Sequence, residues 1–434
     1  MQTKAKEKIN IVTLGCAKNL VDSEVLMTQL KGNKKDVFHQ REDINPDIVI
    51  INTCGFIDKA KQESIDTILK HAKEKEEGII KKLYVTGCLS ERYKDDLKTG
   101  IPEVDGFYGT RDLPELLKNF EAKYRNELLG DRIITTDSHY AYLKISEGCD
   151  RPCSFCAIPL MRGRHISKPI DQIILEAKNL VRNGVREIML IAQDSTYYGI
   201  DIYKKRAMSE LLKKLSDVEG LDWIRIHYAY PAGFPMDIIE VMRERDNICN
   251  YLDIPLQHGS TNMLKVMKRG ITREKTDELI KNIRDINPEI ALRTTLIAGH
   301  PGETERDFQE MYDFVERSQF DRLGIFTYSH EEGTSAYKLE DDVPEQVKRS
   351  RSNKIMALQQ KISTEKNKSK VGKTVKVLID RVDANNYYGR TEQDSPEVDN
   401  EVIIPSKEMH LRVGDFYDVK ITDSKEYDLI GKVD

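Results

Sequence analysis

Nothing in this chain restricts its fold more than Gly148-Cys149-Asp150-Arg151-Pro152-Cys153-Ser154-Phe155-Cys156, where three thiols fall within eight residues directly after the apolar run Tyr140 to Ser146. A metal centre is the natural reading. Three thiolates fill three of the four positions that a 4Fe-4S cluster needs, which leaves one iron open to substrate or cofactor. The competing reading is a zinc knuckle, which requires four Cys or His ligands. His165, nine residues past Cys156, is the only nearby fourth ligand, and no second CxxC pair accompanies it.

Cysteines also mark the first region, where an apolar, β-rich run ends three times at a thiol beside a turn residue. The runs end at Gly15-Cys16, Cys54-Gly55 and Gly87-Cys88, and helical patterns over Val21 to Leu30 and Asp58 to Lys75 alternate with them. That alternation predicts a β/α domain with a parallel sheet, in which ligands gather at the carboxyl ends of the strands. Cys16, Cys54 and Cys88 all fall at such ends and are expected to form a second cluster site with one iron open. Small buried cysteines also end strands well, and that is the reading given to Cys249, a small apolar side chain leading into a strand.

After a charged, poorly periodic joint around Asn119 to Asp137, six β-like runs follow, each with a helical stretch behind it: Ala141 to Ser146, Glu187 to Ala192, Trp223 to Tyr228, Asn250 to Ile254, Ala291 to Ala298 and Arg322 to Tyr328. The count predicts an open six-unit β/α barrel, whose chemistry collects at the C-terminal strand ends. Gln193 and Asp194, Tyr230, Gln257 and Gly299 lie there with the Cys149/Cys153/Cys156 loop. Pro344 to Lys370 reads as a connecting helix packed on the barrel through Ile355, Met356, Leu358 and Ile362. Five short β runs from Thr374 to Val433 then predict a small all-β barrel of the OB kind. The expected domains are 1–125, 126–365 with the connecting helix, and 366–434, an α/β architecture with an all-β end.

The spacing C-x3-C-x2-C with an aromatic before the last Cys is similar to the cluster motif of the radical S-adenosylmethionine (SAM) enzymes. Thr13-Leu14-Gly15-Cys16-Ala17-Lys18-Asn19 to Glu24, with Asn52-Thr53-Cys54-Gly55-Phe56 and Gly87-Cys88, resembles the first domain of the methylthiotransferases, and the last domain resembles their TRAM domain. The resemblance implies two 4Fe-4S clusters. One, on Cys149, Cys153 and Cys156, binds SAM through its amino and carboxylate groups and reduces it to a 5'-deoxyadenosyl radical. The other, on Cys16, Cys54 and Cys88, carries the sulfur to be inserted, and a further SAM supplies the methyl. It also makes Gln193, Asp194, Gln257 and Gly299 expected SAM contacts.

One branch of that family acts on a tRNA adenosine, the other on the β-carbon of an aspartate in small-subunit ribosomal protein twelve, free or in the ribosome. Ala17-Lys18-Asn19 stands where the tRNA branch has Gln-Met-Asn, and Ile191 to Gly199, Trp223 to Pro231 and Cys156 to Pro159 resemble the protein-modifying branch. Charge points the same way. Val371 to Asp434 holds nine basic and fourteen acidic residues within a chain of net charge -5, which suits a basic protein better than a polyanion. Asp394, Glu397, Asp399 and Glu401 are expected to form an exposed acidic turn that meets this partner. A function of another class, an iron-sulfur electron carrier or scaffold, would explain six cysteines but not the Gln- and Gly-bearing strand ends.

No stretch approaches the length of a membrane span, and the polar, lysine-rich start resembles no signal peptide. A cytoplasmic monomer is expected, with no membrane contact. An odd count of seven cysteines in a reducing compartment favours metal chemistry over disulfides.

Overall fold

The computed structural model describes residues 7–406 and 410–433. Residues 1–6 of the polar start, and Lys407, Glu408 and Asp434 of the charge count, lie outside it. The first sheet holds β1 (Lys8–Thr13), β2 (Asp36–His39), β3 (Ile48–Thr53), β4 (Lys82–Gly87) and β5 (Gly106–Phe107), all parallel, in the order β2-β1-β3-β4-β5. Every residue of the Ile-Val-Ile-Ile run in β3 is buried, as a central parallel strand covered on both faces requires. Ile48 and Ile50 pack with Leu26, Met27 and Leu30 of the helix Ala17–Gly32. Val49 and Ile51 face the other way, onto Ile68 and Ala72 of the helix Asp58–Glu76. Each such Ile or Leu contributes roughly 1.5–3 kcal/mol on burial.

The joint is stitched down by charge. Arg132 is buried, with Nε 3.0 Å from Glu24 and Nη1 3.3 Å from Glu176, so it ties the first helix to the helix Ile170–Arg182. Beyond it come β6 (Tyr140–Lys144), a short antiparallel hairpin of β7 (Ser146–Glu147) and β8 (Ile166–Ser167), and then β9 (Glu187–Ile191), β10 (Trp223–Ile226), β11 (Ile248–Asp253), β12 (Ala291–Ala298) and β13 (Arg322–Thr327). The six long strands form one parallel sheet in the order β13-β12-β11-β10-β9-β6, the expected open barrel. The helix Glu345–Lys368 lays Ile355, Leu358 and Ile362 into the same core.

β14 (Thr374–Val382), β15 (Asn386–Arg390), β16 (Val402–Pro405), β17 (Phe416–Ser424) and β18 (Leu429–Val433) close into a barrel in the order β14-β15-β16-β18-β17. Its β15–β16 loop enters the six-strand barrel at the amino ends of the strands. There Arg225 donates to Glu187 at 2.8 Å and to the Glu392 carbonyl at 2.6 Å, and Ser395 Oγ lies 3.0 Å from His227 Nε2. Cys249 packs beside Trp223, Tyr251, Leu378 and Phe416 in the same contact, a structural thiol.

This docking corrects the expectation of an exposed acidic turn. Asp394 is 2% exposed and paired with Arg322, Asp399 accepts from Tyr251 at 2.7 Å and faces Arg293 at 3.3 Å, and Glu397 accepts from the Tyr140 and Tyr142 hydroxyls. Of the four, Glu397 is exposed as expected despite these partners, and Glu401 pairs outward with half-exposed Arg381. The sequence reading missed that the barrel interior supplies arginines to meet these acids.

Candidate active site

The first cysteine loop spans the β7–β8 hairpin. Gly148 opens it at φ +77°, and a side chain there would strike the Gly163 and Arg164 carbonyls. Cys149 N donates to the Gly163 carbonyl at 3.0 Å, and Ser154 joins the loop to the barrel through the Met267 carbonyl and Ala336 N. Arg151 holds the same region against the β9 end: Nε donates to Asp194 at 2.7 Å and its guanidinium lies over Tyr230, 4.1 Å from the ring centre.

Arg269, which no sequence motif marked, meets the middle thiol. Its Nη1 is 3.1 Å from Cys153 Sγ and its Nη2 donates to the Pro255 carbonyl at 2.6 Å, while Tyr230 Oη donates to the Arg269 carbonyl at 2.8 Å. Burial pushes the Cys149 thiol up to about 11 and that of Cys156 to about 12. Without a metal these thiols are protonated, weak hydrogen-bonding groups, whereas a bound cation removes the proton outright. Three free thiols facing a guanidinium therefore suit a metal-sulfur cluster. His165 turns elsewhere, with Nε2 2.9 Å from Ser167 Oγ. Among the described residues no three His, Cys, Asp or Glu are drawn together as ligands of one ion, and this holds for both cysteine sets.

At the other strand ends, Gln193 donates to Glu147 at 2.8 Å and its Oε1 is buried without a partner. Asp194 is already committed to Arg151 and Thr196. Gln257 adopts a left-handed backbone at φ +77°, an unusual state for a residue with a side chain. Gly299, at φ +78°, lies under the Lys348 side chain, which occupies the space of a Cβ.

The second cysteine set converges from three strand ends. Cys54 and Cys88 are buried and Cys16 is exposed. Gly15 lies against Cys54, where an added Cβ would come 2.6 Å from Cys54 Cβ. Burial raises the Cys88 thiol to about 12, which the charge of Arg162 opposes. Arg162 belongs to the helix Ile158–Arg162 directly after the first loop, yet its Nε is 3.3 Å from Cys88 Sγ. Cys88, Ala157 and Met161 share one apolar cluster, so the two cysteine sets are neighbours across the domain contact.

Three family models match successive parts of the chain. Residues 143–315 match the Radical SAM superfamily, 8–109 the uncharacterized protein family UPF0004 and 371–433 the TRAM domain. Three proteins named ribosomal protein uS12 methylthiotransferase RimO are similar from end to end. That of Cytophaga hutchinsonii is 60% identical over 99% of this chain and 98% of its own. That of Flavobacterium psychrophilum is 57% identical over all of both chains, and that of Bacteroides fragilis is 54% identical over 99% of each. The chain belongs to the RimO family of radical SAM methylthiotransferases.

As a RimO family member it is an enzyme, a transferase that uses SAM and a 4Fe-4S cluster. The radical SAM methyltransferase TsrM of Kitasatospora setae shares the fold at TM-score 0.55 and 14% identity, over 74% of this chain and 75% of that one. No helix among the described residues is long and apolar enough to cross a membrane.

Proposed function

We propose that this enzyme methylthiolates the β-carbon of an aspartate in ribosomal protein uS12, and that it does so in the cytoplasm as a monomer with two clusters. The names of its full-length relatives support the substrate. The observation that carries the two-cluster reading is the Arg162 contact, which brings Cys88 of one thiol set against the helix that follows Cys156 of the other.

In this reading Cys149, Cys153 and Cys156 hold the SAM-binding cluster, with Gln193, Asp194, Gln257 and Gly299 at the SAM end of the barrel. Cys16, Cys54 and Cys88 hold the second. When bound, the first cluster supplies the electron that cleaves SAM to a carbon radical, a step no protein acid or base can perform. The chain supplies position. Arg269 and Tyr230 fix Cys153, Arg151 orients the loop against Asp194, and Glu147 and Asp22 hold Arg162 between the thiol sets. The domains of the proposal are 1–125, 126–365 and 366–434.

Mass spectrometry of uS12 from cells with and without this gene tests the substrate. A methylthio mass increment on one aspartate that disappears with the gene is the expected result, and an unmodified uS12 in both would refute it. Modification of a tRNA adenosine in its place would assign the chain to the other branch.

A further inference from the structure

We propose that Lys18 is the residue that recognises the carboxylate of the acceptor aspartate, and so sets the enzyme's preference for an acidic side chain. The proposal rests on the substrate reading above. Lys18 is 8% exposed, yet among the described residues its ammonium has no ion pair and no hydrogen bond; it lies over the Tyr228 ring, 3.3 Å from the centroid, with His227 close enough to feel its charge. The stem of the side chain is largely buried while its unpaired ammonium keeps an open side, and a ring face supplies only part of what a counter-ion would. The site is built to receive an anion.

The acids nearby are already committed. Asp22 binds Lys144 and Arg162, Asp253 binds Arg293 and Tyr228 N, and Asp194 binds Arg151. The position of Lys18 is fixed from below, because Asn19 donates to the Leu14 and Thr53 carbonyls at 2.8 and 3.0 Å. The position of Tyr228 is fixed from the other side. Its φ is +62°, and its carbonyl accepts from Ser195 N at 3.0 Å, directly beside the Gln193-Asp194 strand end.

Lys18 thus bridges the two halves of the site: two residues from Cys16 in sequence, and resting on the barrel end that carries Arg151 and Asp194. An acceptor carbon that exchanges hydrogen at one thiol set and sulfur at the other must lie between them, and in aspartate the carboxylate is one bond from that carbon. The ammonium is where that carboxylate would be.

The test compares the reconstituted holoenzyme with K18M and K18R on uS12 and on uS12 with its target Asp replaced by Asn, with iron and sulfide measured in each. A hydrogen bond between charged groups contributes about 1.5–3 kcal/mol, so the parent should prefer Asp over Asn by roughly 10- to 100-fold in kcat/KM. K18M should lose most of that preference, mainly through KM, with its iron content intact, and K18R should restore part of it. Undiminished preference in K18M, or loss of iron from both variants, would overturn the assignment of Lys18 alone. A parent enzyme that leaves aspartate-bearing uS12 unmodified would overturn the substrate reading and this proposal with it.

Discussion

The Arg162 guanidinium lies 3.3 Å from the Cys88 sulfur although the two residues belong to different domains, and the same group is anchored by Asp22 at 2.6 Å and Glu147 at 3.1 Å. Removing one partner of a buried ion pair costs roughly 3–5 kcal/mol. R162M should therefore lower the thermal midpoint measurably, by calorimetry, and lower the iron retained by the second thiol set. Unchanged stability and iron together would show that Arg162 merely fills space.

Two thiol sets that act independently predict a simple stoichiometry. Reconstituted parent should bind about eight irons as two four-iron clusters, and the Cys149/Cys153/Cys156 triple alanine variant about four by the same count. A triple variant with no iron would refute an independent site at Cys16, Cys54 and Cys88.

Glu147 predicts the acid limb of stability. Burial alone would push its carboxyl up, but Lys144 and Arg162 outweigh burial and hold it at about 2, from a usual value of 4.5. A carboxyl depressed on folding contributes stability that is present above its unfolded value and lost as pH falls toward its folded value. Denaturant unfolding should therefore show stability falling between about pH 4.5 and 2, with a contribution of about 3 kcal/mol from a shift of this size. E147Q should be less stable at neutral pH and show a shallower fall. An equally steep limb in E147Q would assign the acid sensitivity to other carboxylates.

The docked acidic loop separates stability from partner attraction. D394A leaves Arg322 buried without its charge partner and should destabilise the protein by roughly 3–5 kcal/mol. Glu401, at the rim beside exposed Arg381, should cost under about 1 kcal/mol when changed to Lys, as exposed pairs do. Equal midpoints for the two variants would show that the loop is not held by its charges.

The six barrel runs and five carboxyl-terminal runs were legible because each carries its own hydrophobic period, and the thiols because their spacing is local. Edge strands β2 and β5 were not, being four and two residues long with too little pattern to detect. Arg269 and Arg162 were invisible for another reason. Their partners Cys153 and Cys88 are far off in sequence, and an arginine in a helix or turn reads as solvated surface until the fold supplies the thiol. The acidic turn was misread by the same logic, since Arg293 and Arg322 lie in strands that precede it by about a hundred residues or fewer.

That loop also imposes an order of events during synthesis. Arg225, Arg293 and Arg322 are all translated before Glu392, Asp394 and Asp399, the groups that meet them. Roughly 70 residues separate the end of β13 from Asp399, which is about 4 to 14 s of elongation at 5–20 residues per second. During that interval Arg225 and Arg293 already have Glu187 and Asp253 as partners, but Arg322 lacks Asp394 and the floor of the nascent barrel is unsealed. The last domain is made late but completes the middle one, so the emerging chain does not reach its finished state domain by domain.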